Sequence, residues 1–340
     1  MIPKKVILDC DPGSDDAIAM MLAMKSDAID LIGVTTVNGN RIVPKTTENA
    51  LRVVQFMKAS VPVYRGCEEP IICNEIPGRK PGLPRVTLND CHGDFLPLPE
   101  AEIRTEKEHA VFYLVKKLME SEEDIYVAAV GPLTNLAMAL RIEPKIAGKI
   151  KQLVIMGGGH CGTNASPAAE FNFYADPEAA KIVMDSAIPK VILPLDATWR
   201  ACLSEEKCKE LAQLGTPEAK VAAALVQKRI DNLKVNDVSE HNYALRHQAG
   251  TVAGAMLYRY DNHMAPIHDA LAIAYLINEN VVTELADANV DIDIAGGLCD
   301  GRMVADFHNT KKCKAPVTAK VALNSDAGLF TDMLFAALGK

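Results

Sequence analysis

The chain has 340 residues, of which 49% are hydrophobic and 24% are charged, and this composition predicts a folded globular protein. Its formal net charge of -8 at pH 7 gives no overall attraction for phosphate backbones or anionic lipid. We therefore expect a small molecule as the partner, and neither nucleic acid nor a membrane surface.

The nine cysteines are an odd set without a Cys-x-x-Cys pair, which argues against a zinc cage or a disulfide framework and predicts reduced thiols. The longest unbroken apolar run, residues 17–24, is far shorter than the roughly 18 residues of a membrane span. The N-terminus shows no leader-like apolar segment with a small-residue cleavage site. We expect a soluble, cytoplasmic protein.

Short β-rich runs alternate with longer helical patterns along most of the chain. Strands are predicted at residues 6–11, 29–37, 61–64, 124–130, 151–157 and 190–196. Helices are predicted at about 15–25, 44–59, 106–121, 133–141 and 177–186. This alternation predicts an α/β fold, with a mainly parallel central sheet and helices on both faces. Because no linker or repeat interrupts the chain, we expect one domain over residues 1–340.

Two stretches break the alternation. Residues 65–104 are rich in Pro and Gly without a clear period, which is typical of a functional loop, and residues 228–267 are polar and partly helical in pattern. After residue 285, three β-rich runs predict strands added to an edge of the sheet, followed by a last helix at about 325–338.

Four carboxylates lie between the first predicted strand and the first predicted helix, in the segment DCDPGSDD: Asp9, Asp11, Asp15 and Asp16. Open parallel sheets bind ligands beyond the carboxyl ends of their strands, so the cluster occupies a ligand position. Helix capping explains two of the acids, with Ser14 or Asp15 as N-cap and Asp16 as dipole partner. Because adjacent like charges repel unless a cation compensates, a hard cation with oxygen ligands is the simplest interpretation.

Two other sites fit the four acids less well. An EF-hand loop counted from Asp9 would place Met20 at position 12, where a bidentate Glu is required. A Mg²⁺-dependent phosphohydrolase would use Asp9 as nucleophile and Asp11 as acid-base. That interpretation leaves Asp15 and Asp16 without a role.

The segment DCDPGSDDA is similar to the N-terminal signature of the nucleoside hydrolases, the calcium-dependent N-ribohydrolases of the inosine-uridine preferring type. Further segments match in family order: VNGN (37–40), HGD (92–94), AVGPLTNLA (129–137), IMGGG (155–159), NASPAAEFNFYADPEAA (164–180) and IHDALAIAYLI (267–277). The resemblance covers nearly the whole chain. It implies the Rossmann-like nucleoside hydrolase fold and hydrolysis of ribonucleosides to ribose and free nucleobase.

The resemblance also implies a set of site residues. The ligands of a Ca²⁺ ion would be Asp11, Asp16, Asp269 and the backbone carbonyl of Val130. The residues implied to bind the ribose or to surround the metal are Asp15, Asn40, Asn164, Glu170 and Asn172. Glu170 and Asn172 flank Phe171, and in an extended segment this spacing would point both side chains to one face.

At the base, His268 resembles the residue that assists departure, and His92 is a second candidate proton donor. Tyr260 lies where some pyrimidine-preferring relatives carry a Tyr beside the base. The expected chemistry is attack of an activated water on an oxocarbenium-like sugar, with Asp11 as general base. Ca²⁺ would orient that water and lower its pKa.

Two alternatives to the hydrolase remain at this stage: the phosphohydrolase above, and a nucleoside- or sugar-binding protein that keeps a calcium pocket without turnover. The preferred base remains open among purines and pyrimidines, with nucleoside salvage as the inferred pathway. Apolar residues after position 285 and the habit of the family predict a homodimer or homotetramer.

Overall fold

The computed structural model describes residues 2–72, 75–76, 93–235, 264–307 and 316–340. The strands in these ranges are β1 (Lys4–Cys10), β2 (Ile29–Thr36), β3 (Val63–Arg65), β4 (Ile125–Ala129), β5 (Ile150–Met156), β6 (Lys190–Leu193), β7 (Cys202–Ser204), β8 (Met264–Pro266), β9 (Val282–Ile292), β10 (Met303–Asp306) and β11 (Ala319–Ser325). The α-helices are α1 (Ser14–Lys25), α2 (Val43–Phe56), α3 (Ala110–Glu120), α4 (Thr134–Ile142), α5 (Phe171–Ala175), α6 (Pro177–Met184), α7 (Leu195–Thr198), α8 (Glu205–Gln213), α9 (Pro217–Val235), α10 (His268–Ile277) and α11 (Ala327–Leu338). Short 3-10 helices lie at Pro144–Gly148 and Glu279–Val281.

Nine of these strands form one sheet in the order β10-β9-β11-β6-β5-β4-β1-β2-β3. From β11 to β3 every neighbouring pair is parallel, whereas β9 runs antiparallel to both β11 and β10. Strands β7 and β8 form a separate antiparallel pair. The mainly parallel α/β sheet is confirmed. The strands predicted after residue 285 extend one edge, and the first of them begins slightly earlier, at Val282.

Successive residues of β1 pack into different hydrophobic cores, because side chains alternate between the two faces of a strand. Val6 and Leu8 belong to a core shared with α1 and α10, whereas Ile7 belongs to a core shared with α3 and α4. Helices therefore cover both faces of the sheet. Helix α1 packs against α10 and is buried from Ser14 to Ala23, which explains why its sequence is apolar on all sides from Ala17 to Met24.

One predicted strand ends earlier than its apolar run suggests. The run at 190–196 is extended only to Leu193, and Leu195–Thr198 forms the short helix α7. Pro194 precedes that helix, and its carbonyl accepts hydrogen bonds from the amides of Ala197 and Thr198 at 3.0 Å each. Proline has no N–H for a sheet ladder, so the strand stops where the turn begins. None of the described helices combines the length and apolarity that a bilayer crossing requires.

The strand order creates a crevice at β1. The chain proceeds from β1 to β2 and β3 on one side, and then returns to place β4 on the other side of β1. The loops after β1 and β4 therefore leave the sheet side by side and then diverge. Ligands of open α/β sheets bind at such a switch point, beyond the carboxyl ends of the strands.

Candidate active site

Asp16, the last acid of the turn between β1 and α1, forms hydrogen bonds with the backbone of that turn. Asp16 Oδ2 accepts a hydrogen bond from the amide of Gly13 at 2.9 Å, and Asp16 Oδ1 accepts one from the amide of Asp11 at 3.2 Å. Gly13 is the N-cap residue, so the expectation that Ser14 or Asp15 fills this place is wrong. Asp15 and Asp16 lie in the first turn of α1 as predicted, where the helix dipole favours negative charge.

A third acid joins them from the start of α10. Carboxylate oxygens of Asp15, Asp16 and Asp269 all lie within 4.8 Å of one another, and all three residues are buried. The side chains of Asp16 and Asp269 are close enough to hydrogen-bond, which requires either a shared proton or a cation between them. Burial, followed by the charges of Asp15, Asp16 and Asp11, raises the pKa of Asp269 well above its ordinary value.

Asp11 lies at the same crevice, enclosed by the loops after β2 and β4. Burial, followed by the charge of Asp16, raises its pKa well above the ordinary value, although the amide of Asn40 donates a hydrogen bond to Oδ2. A Cβ atom on Gly39 would lie 2.0 Å from Asp11 Oδ2, and one on Gly131 would lie 2.7 Å from Oδ1. Only glycine at these two positions lets both loops approach the carboxylate.

These side chains fit a hard divalent cation. Carboxylate and carbonyl oxygens are the ligands that Ca²⁺ prefers, and a cation offsets both the burial and the repulsion that raise the pKa of Asp11 and Asp269. The carbonyl of Val130 already accepts a hydrogen bond from Asn172 Nδ2 at 2.8 Å, and a carbonyl oxygen has a second lone pair for a metal. The carboxylates that come within 4.8 Å of one another include Asp15, which the resemblance implies to bind the ribose or to surround the metal.

Arg229 of α9 supplies positive charge to the cluster. Its Nη1 atom lies 3.0 Å from Asp15 Oδ1, and the two side chains are 11% and 9% exposed. The sequence does not reveal this residue as part of the site, because α9 is far from Asp15 along the chain. A basic residue in an amphipathic helix gives no local signal that its partner is a buried carboxylate.

Glu170 and Asn172 lie beside the crevice, but the expectation of an extended segment there is wrong. Residues 171–175 form α5, and Glu170 is its N-cap. Its carboxylate accepts hydrogen bonds from the amides of Asn172 at 3.0 Å and Gly158 at 2.8 Å, and this capping stabilises the helix. Burial nevertheless raises the pKa of Glu170 to about 7. Asn172 Nδ2 also donates to the carbonyl of Met156 at 3.0 Å, so both side chains tie loops of the site together.

The two remaining asparagines are more accessible. Asn164 is exposed, and its Oδ1 accepts a hydrogen bond from the amide of Phe171 at 2.8 Å. Asn40 is half-buried, and its Nδ2 donates to the carbonyl of Asp11 at 3.3 Å. Asn40 therefore contacts Asp11, a candidate metal ligand, whereas Asn164 contacts the first residue of α5.

His268 is the first residue of α10 and is 7% exposed. Its Nδ1 is hydrogen-bonded to Thr198 Oγ1 at 2.8 Å, and its ring meets the ring of Trp199 edge to face at 5.0 Å. His268 directly precedes Asp269 in the sequence. Its partners in the structure are Thr198, the last residue of α7, and Trp199, the residue after α7.

Asp9 has a different position from the other acids. It is 1% exposed, and its Oδ1 accepts hydrogen bonds from Thr35 Oγ1 at 2.6 Å and Asn135 Nδ2 at 2.8 Å. Burial raises its pKa to about 6. A carboxylate enclosed in this way is poorly placed to attack a phosphoryl group, so the structure gives no support to the phosphohydrolase alternative. His92 and Tyr260, the candidates for contact with the base, lie outside the described residues.

Residues 6–332 match the family model described as inosine-uridine preferring nucleoside hydrolase. The pyrimidine-specific ribonucleoside hydrolase RihB of Escherichia coli O157:H7 is 35% identical over 337 residues, which cover 97% of this chain and 95% of RihB. The plant nucleoside hydrolase PpNRh1 is 27% identical, with a TM-score of 0.80 over 99% of both chains. The purine-preferring ribonucleoside hydrolase from Gardnerella vaginalis is 25% identical, with a TM-score of 0.82 over 99% of this chain and 98% of that one.

The match to the family model extends over almost the entire chain, and the solved relatives share its fold from end to end. Several segments that carry the resemblance in sequence meet at the crevice between β1 and β4: those that contain Asp11, Asn40, Val130, Asn172 and Asp269. The chain belongs to the inosine-uridine preferring nucleoside hydrolase family and is a ribonucleoside hydrolase by reaction class.

Proposed function

We propose that this chain hydrolyses the C1′–N bond of a ribonucleoside at the crevice beside β1, with bound Ca²⁺ and with Asp11 as general base. The observation that carries the proposal is the buried group of Asp15, Asp16 and Asp269, beside which burial and then the charge of Asp16 raise the pKa of Asp11. Family membership supports the reaction class, and the family is generally metal-dependent.

Asp11, Asp16, Asp269 and the carbonyl of Val130 would hold the ion. Bound there, Ca²⁺ supplies positive charge that favours ionised carboxylates and a more acidic water. Asp11 takes a proton from the water as its oxygen forms the bond to C1′. The two glycines that contact Asp11 hold its carboxylate in place, so little reorientation is needed at the reaction step.

The remaining polar side chains proposed for the site form hydrogen bonds with the hydroxyls of the ribose: Asp15, Asn40, Asn164, Glu170 and Asn172. Glu170 and Asn172 use part of their hydrogen-bonding capacity to connect the loops of the site, and a carboxylate retains further lone pairs for sugar hydroxyls. Contacts to the sugar orient and distort the ring, so we expect stricter recognition of the ribose than of the base.

The leaving base takes the electron pair of the broken C1′–N bond and receives a proton. His268 is the proposed donor because it lies at the start of the helix that carries Asp269, with His92 as the second candidate. RihB is named pyrimidine-specific and is the more similar relative in sequence, so uridine and cytidine come first among the substrates we would test. The single-domain organisation, the cytoplasmic location and the homodimer or homotetramer stay predictions of the sequence.

A reducing-sugar assay on purine and pyrimidine ribonucleosides, with and without a calcium chelator, tests the proposal. We expect ribose release that chelation abolishes and added Ca²⁺ restores. Asp11→Ala should abolish turnover with the fold intact by circular dichroism, while Asp27→Asn, which changes an exposed acid, should leave it unchanged. An active Asp11→Ala enzyme would falsify the assignment of the base. Nucleoside binding by calorimetry without ribose release would favour the binding-protein alternative.

A further inference from the structure

Asn49 lies on α2 and connects the acidic turn with a segment between β3 and α3. Its side chain is 2% exposed. Its Nδ2 donates a hydrogen bond to the carbonyl of Pro12 at 2.9 Å, and its Oδ1 accepts one from the amide of Leu96 at 2.9 Å. Because a carbonyl only accepts and a backbone amide only donates, a single orientation of the side-chain amide satisfies both partners.

The bond to Pro12 fixes the peptide group that also holds Asp16. The carbonyl of Pro12 and the amide of Gly13 belong to one planar unit. The amide of this unit donates to Asp16 Oδ2 at 2.9 Å, while its carbonyl accepts from Asn49. Rotation of the peptide plane would break both bonds. Asn49 therefore restricts the direction of the N–H that orients the carboxylate of Asp16.

The second partner of Asn49 belongs to residues 95–98, which pack on α2. Arg52 Nη1 donates to the carbonyls of Leu96 at 3.3 Å and Leu98 at 3.2 Å, and its guanidinium lies 4.8 Å from the centroid of the Phe95 ring. The side chains of Leu96 and Leu98 are buried. Displacement of residues 95–98 would remove the amide that fixes Asn49 Oδ1.

We propose that Asn49 is a positioning residue for Asp16, and that it links calcium binding to the attachment of residues 95–98 to α2. The inference rests on the proposed function, because it assumes that Asp16 is a calcium ligand. Asn49 acts through the Pro12–Gly13 peptide and supplies no ligand itself. Groups that hold metal ligands in place contribute about 10- to 100-fold to metal affinity. Asn49 is neutral, so its replacement disturbs Asp16 without changing the charge of the site.

Calorimetric titration of Asn49→Ala with Ca²⁺ tests the first part of the proposal. We expect the Kd for calcium to rise about 10- to 100-fold, and excess calcium to restore ribose release. If the alanine variant does not fold by circular dichroism, Asn49→Leu offers the same comparison. Asn289→Ala is the matched control, because Asn289 Nδ2 also donates to a proline carbonyl, that of Pro316 at 2.7 Å, on a strand remote from β1. Its calcium affinity should equal that of the wild type.

Leu96→Ala tests the link to residues 95–98, since it removes a buried side chain of that segment without a change of charge. We expect its Kd for calcium to rise about two- to threefold, and we expect no further rise when it is added to Asn49→Ala.

The melting temperature in EDTA separates positioning from a purely structural role. A lower melting temperature of Asn49→Ala with unchanged calcium affinity would overturn the proposal. An equal effect of Leu96→Ala in both backgrounds would overturn the link to residues 95–98. If the wild type binds no calcium and releases no ribose, the proposed function fails and the proposal for Asn49 fails with it.

Discussion

The guanidinium of Arg229 lies 3.0 Å from the carboxylate of Asp15, and both side chains are about nine-tenths buried. Through this pair, the positively charged side chain of Arg229 lies at the edge of a cluster that also contains Asp16 and Asp269. Helix α9 thereby contributes to the electrostatics of the crevice, although no residue of α9 belongs to the set that the family resemblance implies.

Arg229→Gln removes this charge and leaves Asp15 buried beside two other acids. We expect the free energy of unfolding to fall by about 3 kcal/mol in EDTA, because a buried charge loses its partner. With saturating calcium the loss should be smaller, since the ion supplies positive charge in its place. Urea denaturation under both conditions measures the difference.

Lys207→Gln is the matched control for the arginine variant. Lys207 pairs with Glu210 on the protein surface, where a lost ion pair has little effect. We expect no clear change with or without calcium. If Arg229→Gln loses the same stability in both conditions, the pair is not linked to the metal site.

Asp269→Asn should have opposite effects on metal binding and on the stability of the metal-free protein. The amide removes one of the mutually repelling carboxylates, so we expect a higher melting temperature in EDTA. Loss of a charged ligand should weaken calcium binding at least about 100-fold by calorimetry. Asp27→Asn, at an exposed position, should alter neither quantity. Unchanged calcium affinity in Asp269→Asn would remove this residue from the metal site.

Gly39→Ala tests whether Asp11 must be held in one position. The added Cβ would lie 2.0 Å from Asp11 Oδ2, so the carboxylate or the loop has to shift. We expect kcat/KM to fall about 100-fold, because small displacements of a catalytic group have effects of this size. Gly148→Ala is the control, since nothing lies within 4 Å of its added Cβ, and it should keep wild-type activity. Equal activity of the two variants would show that the position of Asp11 is not critical.

Glu170 should make the metal-free protein less stable as the pH rises. Its pKa in the folded protein is raised from 4.5 to about 7, so between these values the folded state holds a proton that the unfolded state has released. The stabilisation is complete below about pH 4.5 and is lost as the pH rises through about 7, by about 3 kcal/mol in total.

Glu170→Gln should remove this dependence, because an amide does not titrate in the range. Unfolding free energies at pH 5 and pH 8 in EDTA should differ less for the variant than for the wild type, whatever constant effect the substitution has on stability. Glu206→Gln, an exposed site, controls for the loss of one negative charge. An unchanged pH dependence in Glu170→Gln would mean that Glu170 is not the titrating group.

The sequence determined the order of elements and the place of the acidic turn. Alternation of β-rich and helical runs is a local property, and it is sufficient to predict the parallel sheet and the edge strands, which it places after residue 285 and which begin at Val282. Asp15 and Asp16 were correctly placed in the first turn of α1, since Pro12 and Gly13 mark the turn that precedes the helix. Family resemblance added Asp269, which no local pattern connects with that turn.

Only the tertiary structure decided which residues support the site. Thr198 and His268, like Asp15 and Arg229, are brought together by the packing of separate helices, and their sequences carry no mark of the partner. The helix at 171–175 is not predicted for a related reason, because its N-cap residue Glu170 also accepts a hydrogen bond from the amide of Gly158, which lies in the loop after β5. Local periodicity predicts elements, whereas contacts between elements depend on how the whole sheet and its helices pack.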